Sequence, residues 1–230
     1  MALATSLDMA DIARRQLHVI LALDCSGSMR GDRIASLNYA LRTVLPELRS
    51  VATENPEIDV RIRVLRFATE ASWHTPDALP VADLVWSDLV ADGETHMGDA
   101  LRLMAAALTK DAMPGRQLPP VVVVVSDGYP TDDFDAGFKA FFAADHADAS
   151  VRIAIAIGSD ADTDILQQFI RHPTMKPLRA SNAAALVEHI KWATTAPVKA
   201  ASSPTNAPDP LAPPVREADI ADAADSEIIW

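Results

Sequence analysis

The stretch QLHVILALDCSGSM, residues 16–29, decides the fold. Leu17 to Leu23 is an apolar run that closes on Asp24. Such a run reads as a central parallel strand, covered on both faces, whose last residue emerges at the carboxyl edge of a sheet. Asp24-Cys25-Ser26-Gly27-Ser28-Met29 then leaves that edge, with Gly27 free to take a tight turn between the two serines.

Working outward, Ile34, Leu37, Leu41, Leu45 and Leu48 recur at helical spacing, with Pro46 expected to kink or end that helix. Ile58 to Phe67 alternates apolar with charged residues, the pattern of a half-exposed strand. Arg61, Arg63 and Arg66 within it read as one solvated basic stripe. Ala71–Thr75 and Val81–Trp86 read as short strands and Met97–Lys110 as a helix. Val121 to Val125, five valines in succession, is a buried strand. Helix over Phe134–Ala144, strand over Val151–Ile157, helix over Thr163–His172, strand near Lys176–Arg179 and helix over Asn182–Ala193 complete the series. Strands alternating with helices predict a doubly wound α/β fold, its mostly parallel central sheet flanked by helices on both faces. In such sheets ligands bind beyond the carboxyl ends of the strands.

The residues just past each buried strand therefore carry the functional signal. Asp24, Ser26 and Ser28 come after the first, Ser126-Asp127-Gly128 after the valines, and Thr95 lies at a helix start between them. These are hard oxygen donors, suited to magnesium, manganese or calcium rather than zinc. Alternate side chains of Asp-x-Ser-x-Ser converge on one point, and Thr95 and Asp127 close the site from neighbouring loops. Only two of the five donors, Asp24 and Asp127, carry charge, so a bound cation stays electrophilic and accepts an anionic ligand from outside. The plainer readings are a capped helix start for Asp24, Ser26, Ser28 and Thr95, and an ordinary turn for Asp127-Gly128. Their coincidence at one sheet edge favours the cation.

DCSGSM at 24–29, T-x-x-G-x-A-L at 95–101 and SDG at 126–128 resemble the metal-ion-dependent adhesion site of von Willebrand factor A (VWA) domains, over roughly residues 16–195. GYPTDD at 128–133 and Ile190-Lys191-Trp192 are similar to bacterial TerY-type proteins of tellurium-resistance and stress clusters. The resemblance implies that Asp24, Ser26, Ser28, Thr95 and Asp127 form the metal site, with Mg2+ the expected ion. It also implies a non-enzymatic module that captures an Asp or Glu of a protein partner, in a complex with a PP2C-type phosphatase and a Ser/Thr kinase. The alternative is a phosphoryl-transfer enzyme or phospho-accepting receiver with Asp24 as nucleophile. Against it, Ser26 stands where a haloacid-dehalogenase-like phosphatase wants a carboxylate, no earlier acidic pair suits a receiver, and no Walker loop appears.

Twenty basic against 32 acidic residues give a net charge of -12, which excludes nucleic acid and anionic membranes as natural partners. The single cysteine, Cys25, makes no internal disulfide and suits the cytoplasm. Beside the anionic Asp24 it reads as inert. Arg14 and Arg15 precede too short an apolar run for a twin-arginine signal. The six histidines show no metal spacing, although His96 flanks Thr95 and, with Asp132 and Asp133, is a candidate partner contact. Residues 1–15 read as an extension. Residues 196–230 hold six of the 16 prolines and six acids against two bases, and read as a disordered tail. The tail ends in Ile228, Ile229 and Trp230, an apolar peptide suited to docking.

Overall fold

The computed structural model describes residues 14–202. Its elements run β1 (Arg15–Asp24), α1 (Asp32–Glu54), β2 (Ile58–Phe67), β3 (Ala71–Trp73), β4 (Leu79–Pro80), α2 (Met97–Ala107), β5 (Val121–Ser126), α3 (Phe134–Phe142), β6 (Val151–Ile157), α4 (Thr163–Ile170), β7 (Leu178–Ala180) and α5 (Ala183–Ser202). Seven strands form one sheet in the order β3-β2-β1-β5-β6-β7, with β4 also paired to β2. The β2-β1-β5-β6-β7 ladder is parallel, while β3 and β4 add antiparallel edges to β2. The expected α/β architecture is the observed one.

Strand alternation divides the core in two. Leu17, Val19, Leu21 and Leu23 of β1 pack with Leu37, Leu41 and Leu48 of α1 and with Leu186 and Ile190 of α5. Ile20 and Ala22 point the other way, toward Met97, Leu101 and Met104 of α2, Phe134 and Phe141 of α3, and Phe169 of α4. Each fully buried leucine or isoleucine contributes about 1.5–3 kcal/mol, so the central strands are the most heavily stabilised backbone in the molecule.

The register then fixes the site. Leu23 stands beside Val125 in the β1-β5 ladder, so the next residues along, Asp24 and Ser126, leave the sheet side by side. From β1 the chain crosses through α1 to β2 on one side, while β5 lies on the other. The β1-β5 junction is thus the switch point of the sheet, where the loops part and a crevice opens.

Four expectations are corrected. Pro46 does not end α1, which continues to Glu54. Pro46 lies on the exposed face, where water serves the carbonyl that its ring leaves without a donor. Val81–Trp86 is not a strand: the segment makes a single 3-10 turn at Val81–Asp83 and its Val81 and Leu84 carbonyls accept from Arg49 of α1. The basic stripe does not exist as one face. Arg61 and Arg63 share a face, where Arg61 pairs with Asp59 at 2.8 Å and Arg63 lies over the Trp73 ring at 3.7 Å, while Arg66 points to the opposite side. Finally, α5 extends through Ser202, so residues 196–202 belong to the fold and not to the tail. Ala196 and Val198 are buried in the core and the Ala201 carbonyl accepts from Arg15 at 3.0 Å, contacts that outweigh the cost of Pro197. The remaining tail, with Ile228, Ile229 and Trp230, and most of the 1–15 extension lie outside the described residues. No helix among the described residues is long and apolar enough to cross a membrane.

Candidate metal centre

Asp24 is fully buried and both its oxygens are bonded. The Ser26 backbone N–H donates to Oδ1 at 2.8 Å, and the Ser126 hydroxyl donates to Oδ2 at 2.5 Å. Burial pushes its carboxyl up to about 6, against the hydrogen bonds from Ser126 and Ser26 that pull it down. A buried carboxylate whose own hydrogen bonds do not offset its desolvation is one that a nearby cation would stabilise.

The hydroxyls continue from there. Ser26 Oγ and Ser28 Oγ are 2.9 Å apart, and the Ser28 hydroxyl donates to Asp127 Oδ1 at 2.8 Å. Ser26 is buried and Ser28 exposed, so this row of oxygens climbs from the core to the surface. A 3-10 turn at Gly27–Met29 sets the spacing. The Gly27 N–H donates to the Gly93 carbonyl at 2.9 Å, and the Asp92 N–H to the Cys25 carbonyl at 2.8 Å. These bonds bind the serine turn to the loop that carries Thr95. A Cβ on Gly27 would come within 3.2 Å of the Gly93 carbonyl, which is why the smallest residue occupies the crossing. The Thr95 residue is 6% exposed, deeper than a rim position.

The Thr95 loop is clamped from a third direction. The Thr131 N–H donates to the Thr95 carbonyl at 2.9 Å, and the Thr95 N–H returns a bond to the Thr131 hydroxyl at 3.0 Å. Asp132 accepts from the Gly98 and Asp99 N–H groups at 2.9 and 2.8 Å, capping the start of α2. Gly98 and Gly137 let α2 and α3 touch by backbone: a Cβ on Gly137 would lie 2.3 Å from the Gly98 carbonyl oxygen. Asp133 is the cap of α3, its carboxylate accepting from the Ala136 N–H at 3.0 Å.

Sequence reasoning singled out Asp24, Ser26, Ser28, Thr95 and Asp127. Direct hydrogen bonds join the first three and Asp127 into one chain, and backbone bonds pin the loop of Thr95 against it. His96 sits beside them in a second group: its ring and the carboxylates of Asp99 and Asp132 offer atoms within 4.8 Å of one another. No sequence spacing announces that group, because Asp132 reaches it from another loop. Both Asp132 oxygens already cap α2, and Asp99 Oδ1 pairs with Arg102 at 2.5 Å while Asp99 Oδ2 lies 3.7 Å from His96 Nδ1. Also missed were Ser126 as a partner of Asp24, Thr131 as a clamp, and Arg33, whose Nη1 reaches Asp127 Oδ2 at 2.5 Å. The helical period of α1 marked its buried side only, and Arg33 is on its rim. Cys25 is buried, and burial followed by the charge of Asp24 pushes its thiol up to about 12, which keeps it inert at neutral pH.

The donor set fits a hard divalent cation. Carboxylate and hydroxyl oxygens of Asp24, Ser26, Ser28 and Asp127 lie along one hydrogen-bonded chain from the loops after β1 and β5, and no sulfur or imidazole is among them.

Comparison with known proteins agrees with this geometry at the level of fold. The von Willebrand factor type A protein from Catenulispora acidiphila superposes with a TM-score of 0.61 at 16% identity, over 80% of this chain and 43% of that one. Proximal thread matrix protein 1 from the mussel byssus, in a structure with a zinc-occupied MIDAS motif, gives 0.57 at 16% identity, over 80% of this chain and 49% of that one. The ArnB paralog VWA2 from Sulfolobus acidocaldarius gives 0.54 at 13% identity, over 76% and 45%. The chain thus spans less than half the length of each of these three proteins. No curated protein sequence matches it. Residues 18–191 match the von Willebrand factor type A domain, and the chain belongs to that family.

Proposed function

We propose that this chain is a non-enzymatic binding module whose adhesion-type site holds one divalent cation and offers it to a carboxylate of a protein partner. The observation that carries this reading is the hydrogen-bonded chain Asp24, Ser26, Ser28 and Asp127 at the switch point of the sheet, which brings two buried carboxylates together with the exposed Ser28 hydroxyl. Ser26, Ser28 and Thr95 hold the ion, with Asp24 and Asp127 contacting it directly or through water. The oxygen ligands favour Mg2+, with Mn2+ or Ca2+ as substitutes. The mussel relative carries zinc at its motif, and that ion is a further candidate to be compared.

Few of these ligands are charged, so the ion keeps positive charge toward solvent. A partner's Asp or Glu completes its shell, and the -12 net charge of the chain discourages anions that have no cation to meet. Tyr129, two residues past Asp127 and 62% exposed, is a candidate aromatic contact for the partner. The likeness to TerY-type proteins extends the proposal to a stress or tellurium-resistance complex in the cytoplasm that includes a PP2C-type phosphatase and a Ser/Thr kinase. His96 and Asp133, at the edge of the same crevice, are the candidate specificity contacts.

The phosphoryl-transfer alternative needs Asp24 as an accessible nucleophile. Its full burial and two engaged oxygens speak against that role. Calorimetry with MgCl2 on the wild type and on a Ser26→Ala, Ser28→Ala double variant tests the proposal. The wild type binds one ion and the double variant none; equal binding by both refutes it.

A further inference from the structure

Both oxygens of Asp127 are bonded within the chain. Oδ1 accepts the Ser28 hydroxyl at 2.8 Å, and Oδ2 accepts Arg33 Nη1 at 2.5 Å. The Asp127 side chain has no exposed surface and that of Arg33 is 16% exposed, so the pair is sheltered from solvent screening. The other guanidinium nitrogen, Nη2, donates to Asp160 Oδ1 at 2.6 Å, in the loop after β6. Gly158 makes the room. It sits at φ 90°, and a Cβ there would come within 2.8 Å of Nη2 and 3.1 Å of Cζ. Carboxylates following β5 and β6 therefore converge on one guanidinium, in a fork that a point charge would not fill.

We propose that Arg33 is the built-in counter-charge of the cation site, tuning it toward weak metal binding and strong anion capture. This inference rests on the metal-binding reading above. Arg33 offsets the charge of the enclosed Asp127, while its other partner, Asp160, is 68% exposed and screened by solvent, so Asp24 brings the main uncompensated negative charge to the ion. A fixed positive charge beside a divalent cation repels it, and attracts the carboxylate that arrives with the partner. The site is thereby set to bind metal loosely until an external acid completes it.

The test is magnesium titration of the full chain by calorimetry. Arg33→Gln binds magnesium about tenfold more tightly than wild type, since it removes one unit of repulsive charge from a sheltered site. Arg33→Lys, which keeps the charge, stays within about threefold of wild type. The magnesium-induced rise in melting temperature is correspondingly larger in Arg33→Gln, which a merely structural arginine would not produce. Asp127→Asn keeps the arginine charge and binds magnesium more weakly than wild type. The double variant Arg33→Gln, Asp127→Asn restores the charge balance and recovers affinity, which keeps the test decisive if Arg33→Gln alone misfolds. Equal or weaker binding by folded Arg33→Gln, or a double variant no better than Asp127→Asn, overturns the inference and leaves the metal site standing. No magnesium binding by wild type or any variant overturns the metal reading and this inference with it.

Discussion

The Ser126 hydroxyl donates to Asp24 Oδ2 at 2.5 Å across the junction of β1 and β5, tying together the two strands whose loops build the site. Both side chains are fully buried, so the bond is an internal one with no water to replace it. Ser126→Ala leaves one oxygen of a buried carboxylate unsatisfied and costs about 1–3 kcal/mol of stability. Urea unfolding in chelator measures that loss. Added magnesium should recover part of it, because an ion on the Asp24 side offsets the unsatisfied charge. A variant as stable as wild type in chelator would show that the bond contributes nothing to the fold.

His18 sets a pH limit unconnected with the cation. It is 6% exposed at the start of β1, and burial, followed by the charge of Arg61, lowers its pKa to about 4. The unfolded chain takes up a proton near the ordinary value of 6.5, while the folded chain resists until about 4. Stability from neutral His18 is therefore complete above pH 6.5, is lost as pH falls toward 4, and changes no further below that. The full loss is about 3 kcal/mol. Asp24, whose carboxyl is raised, works in the opposite sense over a similar range, so wild type alone would mask the effect. The comparison with His18→Gln isolates it: between pH 7.5 and 5 the variant should gain about 2 kcal/mol relative to wild type in chelator. Parallel profiles would mean that His18 titrates normally in the folded chain.

The fold was largely legible because its strongest signals are one-dimensional. The valines at 121–125 and the apolar run ending in Asp24 announce buried parallel strands, and the ladder that pairs Leu23 with Val125 then brings Asp24 to Ser126. The five candidate residues stood out in the sequence because Asp24 and Asp127 mark strand ends, Ser26 and Ser28 lie in the turn that leaves β1, and Thr95 lies just before α2. The illegible part depends on contacts distant in sequence. Arg33 looks like any exposed helix residue until Asp127, 94 positions later, and Asp160, 127 positions later, arrive beside it. Thr131 and Asp132 read as a loop before a helix, and only the close approach of α2 and α3 at Gly98 and Gly137 turns them into the clamp on Thr95. Composition misled at 196–202, where alanine and proline suggested an unstructured tail, yet Ala196 and Val198 bury against the core.

The same clamp ties the start of α2 to the loop of Thr95, one of the proposed metal ligands. Asp132 accepts from two backbone N–H groups at the start of α2, and Thr131 exchanges two bonds with the Thr95 backbone, so that backbone is held from the loop that follows Asp127. Asp132→Ala removes the cap and should cost about 1–2 kcal/mol of stability. Asp132→Asn keeps one acceptor and costs less. If the clamp positions Thr95 for the ion, Asp132→Ala also weakens magnesium binding, and Thr95→Ala in the same background weakens it no further, because the hydroxyl is already displaced. If Asp132 serves only the helix, the two substitutions act independently and their effects on affinity add. Magnesium calorimetry on the two single variants and the double variant separates these outcomes, with circular dichroism confirming that each chain is folded. Additive losses would reduce Asp132 to a helix cap and leave Thr95 to be positioned by its own bonds with Thr131.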